Sequence, residues 1–135
     1  DALNSRFHWP QDVQFDEDKT SLYIADTLNG GIRRLEDGYV STLKNTRREN
    51  TQFLKSIPRF ITMDGRGSVV YVASLEDVFK IYNKPPFNVV KLKLSHKFKT
   101  IKGLAYFRGR LYIIDAAVST HERPALYVVD FEKTE

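Results

Sequence analysis

No cysteine occurs among the 135 residues, which removes disulfides, thiol chemistry and cysteine-ligated zinc together. That absence leaves the compartment open, since a cysteine-free domain is tolerated inside and outside the cell. No Asn heads an Asn-X-Ser/Thr acceptor, so N-glycosylation gives no further guide to location. No apolar run approaches the roughly 20 residues that a membrane-spanning helix needs, and no membrane span is expected. Sustained helical amphipathicity is missing too. The chain opens on Asp1 and not on Met, and is expected to be a processed product or a piece of a longer one, with any targeting signal lost alongside the remainder.

What is present favours strands. Nine Phe and seven Tyr stand against one Trp and one Met, and Val and Ile recur in pairs. One phrase appears three times: Leu22-Tyr23-Ile24-Ala25-Asp26, Val70-Tyr71-Val72-Ala73-Ser74 and Leu111-Tyr112-Ile113-Ile114-Asp115. A repeat of apolar β-formers every roughly 40 to 50 residues signals stacked or radially arranged β-sheets.

Each copy sits inside a small antiparallel meander. The first unit has strands over 13–15, 22–26, 32–35 and 39–43, with Asp37-Gly38 as a hairpin turn. The second has strands over 60–63, 69–73, 78–82 and 88–94; its Pro85-Pro86 pair must be a connection, because proline cannot sit inside a ladder. The third has 103–107, 111–115 and 125–131, and its outer strand is absent. Such a meander has two apolar faces and cannot stand alone. The expected architecture is therefore all-β: one partial β-propeller domain over 1–135, with blades at 7–44, 57–94 and 100–135. Known rings hold roughly four to eight blades, so closure is expected from missing blades of a longer protein or from a second copy, the former being preferred.

The run from Phe7-His8-Trp9-Pro10 through Tyr23-Ile24-Ala25-Asp26-Thr27, Asn29-Gly30-Gly31-Ile32-Arg33-Arg34 and Asp37-Gly38 resembles an NHL repeat over almost the whole first blade. The later blades match more loosely: Ser74 replaces the aspartate, and the segment 116–124 replaces the short Asn-containing turn. The resemblance implies a propeller, commonly of about six blades, used mostly as a platform for protein, RNA or glycan partners and in a minority of cases as an enzyme. It also implies that Arg33 and Arg34 are ordinary for the family.

No catalytic or metal constellation stands out. Asp26 and Asp115 end apolar strands and precede loops, where a carboxylate braces backbone N–H groups. His8, His96 and His121 fall at non-equivalent places in the repeats, which argues against a metal site. The Asp16-Glu17-Asp18 cluster lacks the alternating ligands of a calcium loop and reads as an acidic hairpin tip. No cofactor is expected.

Charge is more informative. The 21 basic and 17 acidic residues leave a net +4 and a pI near 9.3. In a meander, the loop after the second strand and the connection between blades emerge at the same end. Lys44, Arg47, Arg48, Lys55, His96, Lys97 and Lys99 gather there, making that end the better seat for an anionic partner. Phe53 and Phe98 lie within those basic stretches, either to stack on bases or to anchor the loops. Arg47, Arg48, Phe53, Lys55, Lys97 and Lys99 are thus the candidate contact residues. The expected function is a non-catalytic platform for a protein partner. RNA binding by the basic end is the alternative, and a propeller enzyme of lyase or lactonase type stands third.

Overall fold

The computed structural model describes residues 4–18, 20–44, 56–117 and 123–131. These form three antiparallel sheets, with strand orders that follow the chain without a crossover. The first holds β1 (Pro10–Phe15), β2 (Ser21–Asp26), β3 (Gly31–Glu36) and β4 (Tyr39–Thr42). The second holds β5 (Phe60–Met63), β6 (Val69–Ala73), β7 (Val78–Tyr82) and β8 (Val89–Lys91). The third holds β9 (Ile101–Phe107), β10 (Arg110–Asp115) and β11 (Ala125–Asp130). It has no fourth strand among the described residues.

Local chemistry explains the turns. Asp37 (φ 51°) with Gly38 (φ 79°), and Arg108 (φ 48°) with Gly109 (φ 78°), hold positive φ at both central positions. That is the two-residue geometry whose twist matches antiparallel strands. The longer β1–β2 and β5–β6 turns are braced by aspartate. Asp16 accepts the Thr20 and Ser21 N–H groups at 2.9 and 3.2 Å, and Asp64 accepts the Ser68 hydroxyl at 2.6 Å and the Val69 N–H at 3.1 Å. The acidic tip is thus held by Asp16 as a structural group.

Alternation along the second strand of each sheet decides what packs where. Val70 and Val72 face the first sheet, joining Tyr23, Ala25 and Ile32 in one core. Tyr71 and Ala73 face the third sheet, joining Ile101, Leu111 and Ile113 in another. The sheets therefore stack face to face, and their first strands adjoin, β1 beside β5 and β5 beside β9. Side chains stitch those neighbours: Asp12 accepts the Ile61 N–H at 2.9 Å, and the Thr62 hydroxyl accepts the Tyr106 N–H at 3.1 Å. Asn83 donates to the Tyr23 hydroxyl at 2.9 Å. Tyr71 stacks between Tyr106 and Phe131, each at 5.6 Å. Burial first, then the neighbouring Tyr106, Asp64 and Tyr82, pushes its phenol up to about 12.

Two boundaries differ by three residues from those read in the sequence, and the others by two at most. β8 stops at Lys91 where a strand to Leu94 is expected, because Leu92 and Leu94 turn in against the core between the second and third sheets. β1 begins at Pro10, three residues early, with an irregular register between Pro10 and Asp12.

Ile113 is fully buried, so Ile113→Ala is expected to lower unfolding stability in urea by about 2–5 kcal/mol. Arg108→Asn, at a left-handed position that asparagine tolerates better, is expected to raise it by about 0.5 kcal/mol.

Candidate functional site: the connection rim

Loops after the second strands and the segments leading into the first strands meet at one end of the stack. Leu28 N–H donates to the His8 carbonyl at 2.9 Å, Ile101 N–H to that of Leu75 at 2.7 Å, and Ala116 N–H to that of Thr100 at 2.8 Å. This is the end on which the sequence gathers its basic connections.

Two buried carboxylates tie the rim down. Asp26 accepts the His8 N–H at 2.8 Å, the Asn29 amide at 2.7 Å and the Arg33 guanidinium at 3.1 Å. Arg33 also donates to the Arg6 carbonyl at 3.1 Å and lies over the Phe7 ring. Asp115 accepts the N–H groups of Thr100, Lys99 and Ala117 at 3.0, 3.1 and 3.2 Å. Its remaining partner is His96 Nε2, at 3.2 Å. Burial alone raises the Asp115 pKa; the hydrogen bonds from Thr100, Lys99, His96 and Ala117 together outweigh it and lower the carboxyl to about 2. Asp26 accepts three donors and Asp115 four, and both carboxylates are buried, which suits bracing. At the equivalent place Ser74 accepts the Asp77 N–H at 3.1 Å, so the middle loop closes on itself.

Of the residues singled out in the sequence, Arg47, Arg48, Phe53 and Lys55 lie outside the described residues, as does His121. Lys97 and Lys99 are exposed on the rim. Phe98 between them is 4% exposed, edge-on to Tyr127 and His96 at 5.5 and 4.8 Å. It anchors its loop and presents no face for stacking. The basic end also carries its own counter-charge: Lys91 pairs with Asp77 at 3.1 Å. Among the described residues no group of three His, Asp or Glu side chains is placed to hold a metal ion.

Sequence reading passed over the apolar part of the rim. Ile57 (48% exposed) and Leu75 (38%) line a hollow of about 280 Å³ on the middle sheet, edged by Arg59, Glu76 and Asp77. Across Glu76 and Asp77 lies a second hollow of about 410 Å³ against the segment from Lys91 to Phe98. Trp9, 68% exposed, holds φ 58°, strained for a bulky residue. It is fixed between His8, pinned by Asp26 and Leu28, and Pro10 at the start of β1. The signal was available: Trp9 and Ile57 each stand just before the proline that leads into a first strand.

No family profile matches the chain, and no curated protein matches it. Solved structures do. A chain of a nidogen/laminin complex superposes with a TM-score of 0.72 over 93% of this chain and 46% of its own length, at 17% identity. A luciferin-regenerating enzyme superposes with a TM-score of 0.64 over 87% of this chain and 41% of its own, at 15% identity. This chain spans less than half the length of either. Together with the three stacked sheets, these likenesses establish the β-propeller fold.

The lowered Asp115 pKa fixes a pH dependence. The folded carboxyl titrates near 2 against 3.8 for its ordinary value, so its stabilisation is present above pH 4 and lost as pH falls from 4 to 2. About 2 kcal/mol is expected to go over that window. Asp115→Asn is expected to lose about 1–2 kcal/mol at pH 7 and to remove this contribution to the acid loss, measured by urea unfolding at pH 7, 4 and 2.5.

Proposed function

We propose that the chain is a non-catalytic propeller module of NHL type that binds a protein partner through the connection rim. The observation that carries this is the hollow of Ile57 and Leu75 on the middle sheet. That sheet has described neighbours on both sides, so the exposure of its apolar rim is not the result of an uncovered sheet face. Exposed apolar residues edged by Arg59, Glu76 and Asp77 have the make-up of a binding centre with a polar border. Trp9 and Leu28 are also exposed at this end, on the first sheet.

The rim is built for display. Asp26 and Asp115 hold the backbone of the approach segments, which limits the ordering entropy that binding would otherwise cost. One of the similar propeller chains comes from a complex between proteins, nidogen and laminin, in keeping with this reading. An RNA-binding rim would use Lys97 and Lys99 with Arg47, Arg48, Phe53 and Lys55, and it loses Phe98 as a stacking platform. An enzymatic role, suggested by the likeness to luciferin-regenerating enzyme, would need a catalytic group open to substrate, whereas Asp26 and Asp115 are buried and engaged in bracing.

The test is photo-crosslinking from position 56 followed by affinity measurement with the captured protein. Ile57→Glu combined with Leu75→Glu is expected to weaken binding by about 30-fold or more. Arg66→Glu at the opposite end is expected to leave it unchanged. Equal binding by the rim variant would overturn the reading. So would single-stranded RNA bound with a steep salt dependence that Lys97→Glu with Lys99→Glu abolishes.

A further inference from the structure

The hollow over Ile57 and Leu75 adjoins a second one. Glu76 and Asp77 line both, and the far wall of the second is the connection from Lys91 to Phe98. Along that connection Leu92, Leu94 and Phe98 turn into the core between the second and third sheets, which leaves Lys91, Lys93 and Lys97 exposed over the hollow. Its charges are not balanced. Lys91 already neutralises Asp77, at 3.1 Å. Lys93 and Lys97 have no ion pair with another described residue, and Glu76 is the one remaining carboxylate among the residues that line the hollow. Over the two hollows together, four basic side chains, Arg59, Lys91, Lys93 and Lys97, stand against the two acidic ones.

Given the rim as the protein-binding surface proposed above, we infer that it holds an extended acidic segment of the partner: one large apolar side chain over Ile57 and Leu75, and carboxylates a few residues along, across Glu76 and Asp77, on Lys93 and Lys97. The first hollow, about 280 Å³, is smaller than the roughly 300–1,000 Å³ of a pocket that encloses a whole small ligand. It suits a single side chain. The second, with its two uncompensated ammonium groups, suits the negative charges that follow. A nucleic acid fits the same ground poorly, because its unbroken row of phosphates passes Glu76 and finds Phe98 buried. A peptide spaces its charges and can cross Glu76 with a neutral residue. Charges placed beside an apolar anchor in this way set which partner is accepted and how fast it arrives, and like charges across the contact turn others away.

The experiment is selection of displayed random peptides of about 12 residues, roughly 40 Å when extended, on the 135-residue chain, followed by affinity measurement with the selected sequences as synthetic peptides. The selected peptides are expected to share a large apolar residue followed by Asp or Glu, and to lose binding to Ile57→Glu with Leu75→Glu. Lys93→Glu with Lys97→Glu is expected to weaken them by about tenfold or more and to flatten their salt dependence, with an unchanged circular dichroism spectrum, both side chains being exposed. Exchanging the acidic residues of a peptide for lysine is expected to abolish its binding to the wild-type chain and to restore it to the Lys93→Glu, Lys97→Glu variant, a recovery that a misfolded variant cannot give. Peptides that depend on Ile57 and Leu75 but show no acidic preference, or ignore the reversal at 93 and 97, overturn the inference and leave the rim standing as a binding surface. Displacement of the peptides by an equal concentration of single-stranded oligouridine overturns it too. So does a selection that yields no rim-dependent peptide, in which case photo-crosslinking from position 56 still decides by itself whether the rim binds a protein.

Discussion

A β-sheet with apolar side chains on both faces has no stable surface of its own, and every larger feature of this molecule follows from that constraint. The repeated phrase puts Tyr with Ala, or with Ile114 in the third copy, on one side of the strand and two branched residues on the other, so each sheet asks for a neighbour on each side. Only the second sheet has both among the described residues. Val70, Val72 and Ile81 vanish from solvent on one face while Ala73 and Val78 do so on the other. Direct polar links between the inner strands, from Asp12 to Ile61 and from Thr62 to Tyr106, fix the stacking register that area alone leaves loose.

Because stacking consumes the faces, the ends of the strands are left to meet other molecules. The connection rim is where the chain passes between sheets, and loops of this kind are where binding residues concentrate. Asp26 and Asp115 brace it by accepting backbone N–H groups from the segments that lead into the first strands. The arrangement explains how Trp9 remains outside at a strained φ: its neighbours on both sides are pinned.

Much of the architecture could be read from the sequence because it is local. Alternation over 69–73 and 78–82 gives those strands to the residue, and the Asp37-Gly38 and Arg108-Gly109 pairs mark turns of the first and third sheets through the φ they require. The site was far less readable. Phe98, between Lys97 and Lys99, was open in the sequence to stacking or anchoring, and the anchoring that holds, with the ring inward against Tyr127, depends on a strand some 30 residues later in the chain. Likewise β8 ends early because Leu92 and Leu94 find a core in another sheet. Ile57 and Leu75 carry no charge or motif to flag them; their meaning comes only from being left outside a junction that buries residues of the same kind.

The Asp115 brace has one more consequence. Three of its four donors are main-chain N–H groups, which every residue but proline supplies. At the carboxylate the loop is therefore held largely by its path, with His96 and the buried Phe98 as the side chains that also fix it. An exchange of the exposed Lys97 side chain leaves every one of those donors in place, so this propeller can vary part of its rim while keeping its shape.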